Sequence, residues 1–125
     1  MQTNLDPFTE AYVLAALWTF DENATSGDYE DSGRFEELFP KISPETLTKM
    51  QVDCLDFQEE NKLWLEKAGD EKQNGHDFWL TRNHEGSGFW DREYPDDIEI
   101  VLREASQKNF KECSLYWGDD GLIYC

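Results

Sequence analysis

Apolar residues recur at helical spacing in three stretches of this chain and alternate with polar ones in two others. Phe8, Tyr12, Ala16 and Phe20 fall four apart, with Val13 and Leu17 beside them. That broad apolar face predicts a helix to about Phe20. Asp6 is placed to cap it and Pro7 to open it, at a position where a missing N–H costs nothing. Ser43-Pro44 repeats the same start. From there Leu47, Met50, Cys54, Phe57, Asn61, Trp64 and Ala68 follow at alternating steps of three and four, which predicts one helix running to a stop at Gly69. Asn61 lies in the inner row, where a polar residue can set the register of paired helices. Packing inside the monomer and a homodimer through helix 44–68 are both open at this point. The third stretch, PDDIEIVLREASQKN from Pro95, has acids in its first turn and Lys108 near its end, matching the helix dipole. Its inner face is Ile98, Val101, Leu102 and Ala105.

Alternation appears in HDFWLTRN and GFWDRE, which read as two short aromatic strands around a turn containing His84, Gly86, Ser87 and Gly88. The tail ECSLYWGDDGLIYC alternates on both sides of Gly118-Asp119-Asp120-Gly121 and reads as a second hairpin. The order of elements predicts an α+β fold, an antiparallel sheet of two hairpins packed with about three helices. With 125 residues the chain forms a single domain, 1–125. Residues 21–37 carry seven acids and one base among Gly, Ser and Asn, the composition of a solvated, mobile loop.

Composition adds weight to the core and removes several classes of function. Only 38% of residues are hydrophobic, but five Trp and eight Phe are present, and each such ring buries roughly 150–250 Å². The formal charge is −17, from 28 acids against 11 bases, and no segment holds a basic cluster. Affinity for DNA or RNA depends on Lys and Arg displacing condensed counterions. Direct nucleic-acid binding is therefore excluded, and anionic membranes are disfavoured on the same ground. Cys54, Cys113 and Cys125 are few, odd in number and lack CxxC spacing, which argues against a disulfide framework. No apolar run is long enough to span a membrane and the N-terminus lacks the layout of a signal peptide, so the expected location is cytoplasmic.

Candidate chemistry concentrates in residues 76–92. His76, Asp77, His84 and Glu85 offer imidazoles and carboxylates near one turn, suited in principle to zinc or to acid–base work. The four closely paired Cys or His ligands of a structural zinc site are missing. The simpler reading pairs Arg82 and Arg92 with Asp77 and Asp91, and leaves Asn83, Gly86 and Gly88 to satisfy the turn. Asp119-Asp120 reads as a hairpin turn rather than a metal pair. Phosphate-binding glycine loops and nucleophile elbows are absent from the sequence. No residue is assigned a catalytic role, and no metal or other cofactor is assigned.

The run HDFWLTRNHEGSGFWDR, with the later YWGDDGLIY, resembles small bacteriophage and mobile-element proteins that carry a TRN-x-x-G-x-GFWDR segment. FTEAYVLAALW and ISPETL extend the likeness loosely over most of the chain. The resemblance implies an origin in a phage or mobile element and a host-cell cytoplasm as the site of action, but no mechanism. The motif residues in question are Arg82, Asn83, His84, Gly86, Gly88, Trp90, Asp91 and Arg92; His84 stands within an His-Glu-Gly where the group commonly has Gly-His-Gly.

Three functions follow as expectations. The first is a binding protein that presents carboxylates to the basic nucleic-acid groove of a host protein, such as a restriction, CRISPR or repair nuclease, and inhibits it as a DNA mimic. Helical acids three or four apart share a face with Cβ atoms roughly 5–6 Å apart. The residues predicted to carry the contact are Asp28, Glu30, Asp31, Glu36, Glu37, Asp53, Asp56 and Glu60. The second is a small-ligand protein or enzyme built on the 76–92 hairpin, with Arg82 gripping an anion and His84 as base. The third is a phage structural or assembly factor.

Overall fold

Asp6 sets the first helix by accepting a hydrogen bond from the backbone N–H of Thr9 at 2.7 Å, which leaves Pro7 at the first helical position, as its sequence requires. The computed structural model describes residues 4–21, 32–84, 88–89 and 97–125. Among these lie six α-helices: α1 (Pro7–Phe20), α2 (Arg34–Leu38), α3 (Pro44–Glu60), α4 (Lys62–Ala68), α5 (Glu71–Arg82) and α6 (Ile98–Lys108). A 3-10 turn, Phe39–Lys41, links α2 to α3. One two-stranded antiparallel sheet, β1 (Tyr116–Trp117) with β2 (Ile123–Tyr124), completes the described chain. The fold is therefore mostly helical, and the predicted α+β arrangement with two hairpins is wrong.

The predicted loop 21–37 ends in helix, since residues 34–37 belong to α2, and residues 22–31 of it lie outside the described residues; the error that changes the fold class lies in the stretch before residue 84. HDFWLTRN is the C-terminal half of α5, not a strand. Asp70 starts this helix by accepting from the Gln73 N–H at 3.1 Å. Asn74, Gly75 and Asp77 through Arg82 are all buried, so α5 shows no polar face in its second half. A helix buried all round has no 3.6-residue pattern to betray it, and the aromatic and β-branched content of Phe78, Trp79 and Thr81 mimics a strand. Gly75 lets α5 approach α1: a Cβ built on it would stand 2.0 Å from the Phe8 carbonyl oxygen. These two helices form the largest contact between elements.

The core is an aromatic stack at the crossing of α1, α3 and α5. Phe57 and Phe78 lie with ring centroids 4.0 Å apart and planes 13° apart, with Phe8, Tyr12, Phe89 and Phe110 around them. Trp79 closes one side edge-on to Tyr12 and donates its indole N–H to Thr19 Oγ1 at 2.8 Å. Offset and T-shaped ring pairs of this kind add to the area they bury.

The second predicted helix is real but divided. Asn61, at φ −121°, ψ 21°, ends α3, and its side-chain amide donates to the Phe57 carbonyl at 2.9 Å. Asn offers the backbone this local alternative to a straight helix. Met50, Cys54, Phe57 and Asn61 all face the core, so the seam on which a homodimer through helix 44–68 was considered is occupied within the monomer. α6 follows its prediction, with Ile98 and Leu102 buried and Ser106 beside them donating to the Leu102 carbonyl at 2.8 Å. The second predicted hairpin also forms: Tyr116 pairs with Tyr124 and Trp117 with Ile123.

Cys113 and Cys125 form a disulfide across this hairpin, their Cα atoms 5.7 Å apart. The cysteine pattern argues against a disulfide framework, and the structure holds this one bridge. Cys54 is free and buried, and burial pushes its thiol pKa far up, which leaves it a small core hydrophobe. No helix among the described residues is long and apolar enough to cross a membrane.

Candidate functional site

The motif that drew attention in the sequence sits where α5 ends, and its described members hold the fold together. Arg82 is 3% exposed. Its Nη1 donates to Asp53 Oδ2 at 2.8 Å and to the Tyr12 hydroxyl at 3.0 Å. Its Nε donates to the Lys111 carbonyl at 2.9 Å, and Nη2 donates to the same oxygen. The guanidinium carbon lies 5.7 Å from the Phe78 ring centre and 5.5 Å from that of Phe110. A buried cation persists only when paired and hydrogen-bonded, and here one side chain ties α1, α3, α5 and the segment after α6. Burial works against the charge on Arg82, but Tyr12 and Asp53 outweigh it and raise the pKa; burial drives the Tyr12 hydroxyl pKa upward as well.

The neighbours of Arg82 in the motif act in the same way. Asn83 Oδ1 accepts from the Cys113 N–H at 2.7 Å while its amide donates to the Trp79 carbonyl at 3.0 Å. Thr81 Oγ1 accepts from the Phe89 N–H at 3.1 Å. Gly88, at φ 147°, leaves room for that bond: a Cβ there would lie 2.3 Å from Thr81 Oγ1. His84 adopts φ 54°, a left-handed conformation uncommon outside glycine. Its Nδ1 lies 3.2 Å from Gln107 Nε2 and its Nε2 3.5 Å from Glu112.

Two expectations about this stretch are corrected. The ion partner of Arg82 is Asp53, not Asp77, and its donors are directed at protein acceptors rather than at an open anion site. His76 does not join His84: it stacks on Trp18 with centroids 6.0 Å apart and lies 3.7 Å from the buried Asp77. His76 lies inside α5 and His84 beyond its C-terminal end. Among the described residues no group of three or more His, Cys, Asp or Glu is placed to hold a metal ion. Glu85, Gly86, Ser87, Trp90, Asp91 and Arg92 lie outside the described residues.

The eight acids predicted to face a partner divide as sharply. Asp28, Glu30 and Asp31 lie outside the described residues. Asp53 is taken by Arg82. Glu36 is half-buried, and Glu37 is exposed but accepts from Arg34 Nη1 at 2.9 Å, while Arg34 Nε also pairs with Asp21 at 2.8 Å. Asp56 and Glu60 remain, both exposed on α3 one turn apart, with the exposed Glu59 beside them. Neither makes an ion pair with a described residue.

Sequence reasoning gave the C-terminal hairpin no part in a site, yet it carries the densest exposed aromatic surface among the described residues. Tyr116 is 55% and Trp117 50% exposed. Tyr116 stacks on Tyr124 with centroids 5.9 Å apart, and Lys41 Nζ lies 5.8 Å from the Trp117 ring centre. Asp120 accepts from the Leu122 N–H at 3.0 Å and from the Tyr124 hydroxyl. The bond from Tyr124 is the main reason the Asp120 carboxyl pKa is lowered. The signal was present in the adjacent large rings of YW: successive strand residues point to opposite faces, and so short a ribbon leaves both in water.

No family model, no curated protein and no solved structure matches this chain.

Proposed function

We propose that this chain is an acidic binding protein that occupies the basic, nucleic-acid-binding surface of a host protein and inhibits it. The observation that carries this reading is the pair Asp56 and Glu60: exposed, one helical turn apart, and without a cationic partner on the described chain, in a protein of formal charge −17. Carboxylates at that spacing have Cβ atoms roughly 5–6 Å apart and offer a nucleic-acid groove a short track of fixed negative charge. A large negative field also speeds capture of a basic surface. The resemblance of the TRN-x-x-G-x-GFWDR segment to phage and mobile-element proteins implies an origin and no mechanism; a host nuclease of defence or repair fits as the target because its groove already binds a track of negative charge.

The structure alters the reading by moving Asp53 from the contact surface into the fold and by giving the motif's described residues structural work. A small-ligand or enzymatic role for the 76–92 segment loses its anion grip once Arg82 is paired. The test is affinity capture from bacterial lysate at two salt concentrations. The expected result is a nucleic-acid-binding protein retained at low salt and released as added salt shortens the screening length and weakens the attraction. Partners that hold equally at both concentrations, or none at either, contradict it.

A further inference from the structure

We infer that the C-terminal hairpin is an anchoring contact that takes arginine side chains of a basic protein partner on Tyr116, Trp117 and Tyr124. The inference rests on the proposed function for the sign of the partner's charge, and adds where and by what chemistry it is gripped.

Three observations carry it. The first is exposure: Tyr116 and Trp117 stand half in water on the two faces of a two-residue strand, although Ile123, paired with Trp117, is fully buried. Large amphipathic rings left outside a core are the commonest anchors of protein interfaces, because they offer much contact area and lose little freedom. The second is rigidity. Ile123 anchors the ribbon in the core and its carbonyl accepts from the Ser43 N–H at 2.9 Å. The Gly118 N–H donates to the Leu122 carbonyl at 2.8 Å, Asp120 fixes Tyr124, and the Cys113–Cys125 bridge closes the base. A surface already held in one shape costs less to bind.

The third observation is charge. The shallow cleft of about 340 Å³ at the tip is lined by Tyr116, Gly118, Asp119, Asp120 and Tyr124, so ring faces and carboxylates sit together. A guanidinium satisfies both, stacking on an aromatic face while donating to a carboxylate. Lys41 beside Trp117 is an intramolecular instance of a cation on these rings. A lone acidic turn would attract any cation; the rings select the flat, weakly hydrated one.

The test uses the intact oxidised protein and a fluorescein-labelled octa-arginine peptide, followed by anisotropy at about 150 mM salt, near physiological ionic strength. The same peptide with citrulline in place of arginine supplies the uncharged planar control. Binding of octa-arginine but not of the citrulline peptide is expected. Tyr116→Ala with Trp117→Ala should weaken it about tenfold or more. Trp117→Phe should retain most of it, and Lys41→Ala should tighten it by freeing the ring. Both aromatic side chains are exposed, and circular dichroism of each variant checks that the helices persist. Equal binding by the wild type and the Tyr116→Ala, Trp117→Ala variant overturns the inference, as does equal binding of both peptides. Failure of the lysate capture with hairpin-dependent peptide binding intact counts against the inhibitor reading alone. Salt-sensitive capture that survives the double substitution counts against the hairpin alone.

Discussion

Asp53 and Asp56 lie three residues apart on α3, yet Asp53 meets the Arg82 guanidinium at 2.8 Å while Asp56 stands exposed. Three residues of helix leave the two about 60° apart around the axis, enough for Asp53 to reach the Arg82 guanidinium beside Tyr12 of α1 while Asp56 stays in water. The aromatic residues divide in the same manner. Tyr12, Phe57, Phe78 and Phe89 are sealed in the core, whereas Tyr116 and Trp117 remain half in water. Residue type alone does not distinguish a group that holds the fold from one free to bind; what distinguishes them is whether the buried side of the fold has already supplied a partner. In this molecule the described residues of the conspicuous motif belong to the first kind, and we propose that the plainer acids and the tail hairpin belong to the second.

The sharpest way to break that division is at Arg82. Arg82→Met removes one side of a buried pair and strands Asp53 and the Tyr12 hydroxyl, so stability should fall by about 3–5 kcal/mol, measured by urea unfolding. A loss within experimental error of zero would remove Arg82 from its role. The next effect is at the disulfide. Closing a loop over the 12-residue separation between Cys113 and Cys125 restricts the unfolded chain by roughly 3 kcal/mol. Thermal unfolding with and without reductant should show that difference, and reduction should also blunt octa-arginine binding by loosening the hairpin.

The smallest effect concerns Asp6 and acid. Burial opposes its charge, but hydrogen bonds from Thr9 and Gln58 outweigh burial and hold its pKa below the ordinary 3.8. A carboxylate with a lowered folded pKa contributes stability above its unfolded value and loses it as pH falls through the folded one. Asp6→Asn keeps a capping oxygen without the charge. The wild type should therefore exceed the variant by a few tenths of a kcal/mol near neutrality, and the gap should close below about pH 4. A gap constant with pH would mean that the charge at α1 contributes nothing.

Much of the helical frame was legible because its signals are local. Asp6-Pro7 and Ser43-Pro44 mark starts, and four-residue spacing marks a helix that has one wet face. α5 escaped because its second half has none: buried among α1, α3 and α6, residues 77–82 show no amphipathic period, and Gly75 is there to let two backbones approach. Asp70 followed by Gln73 three residues on was the available sign of a helix start. The break at Asn61 was visible only as a polar residue in an apolar row. The pairing of Cys113 with Cys125 was hidden by an odd cysteine count, although both flank the alternating tail. On the site, charge suggested the sign of the partner we propose, but the assignment of Asp53 to the fold needed Arg82, 29 residues later in the chain, to be seen beside it.

The central claim is that acids left outside the fold bind a basic partner while acids inside it do not. The direct measurement is salt-dependent capture from lysate by the Asp56→Asn, Glu60→Gln variant beside the wild type, with urea unfolding of both as the control. The account predicts capture reduced severalfold and an unfolding free energy changed by no more than about 0.5 kcal/mol. Undiminished capture by a stably folded variant would contradict it.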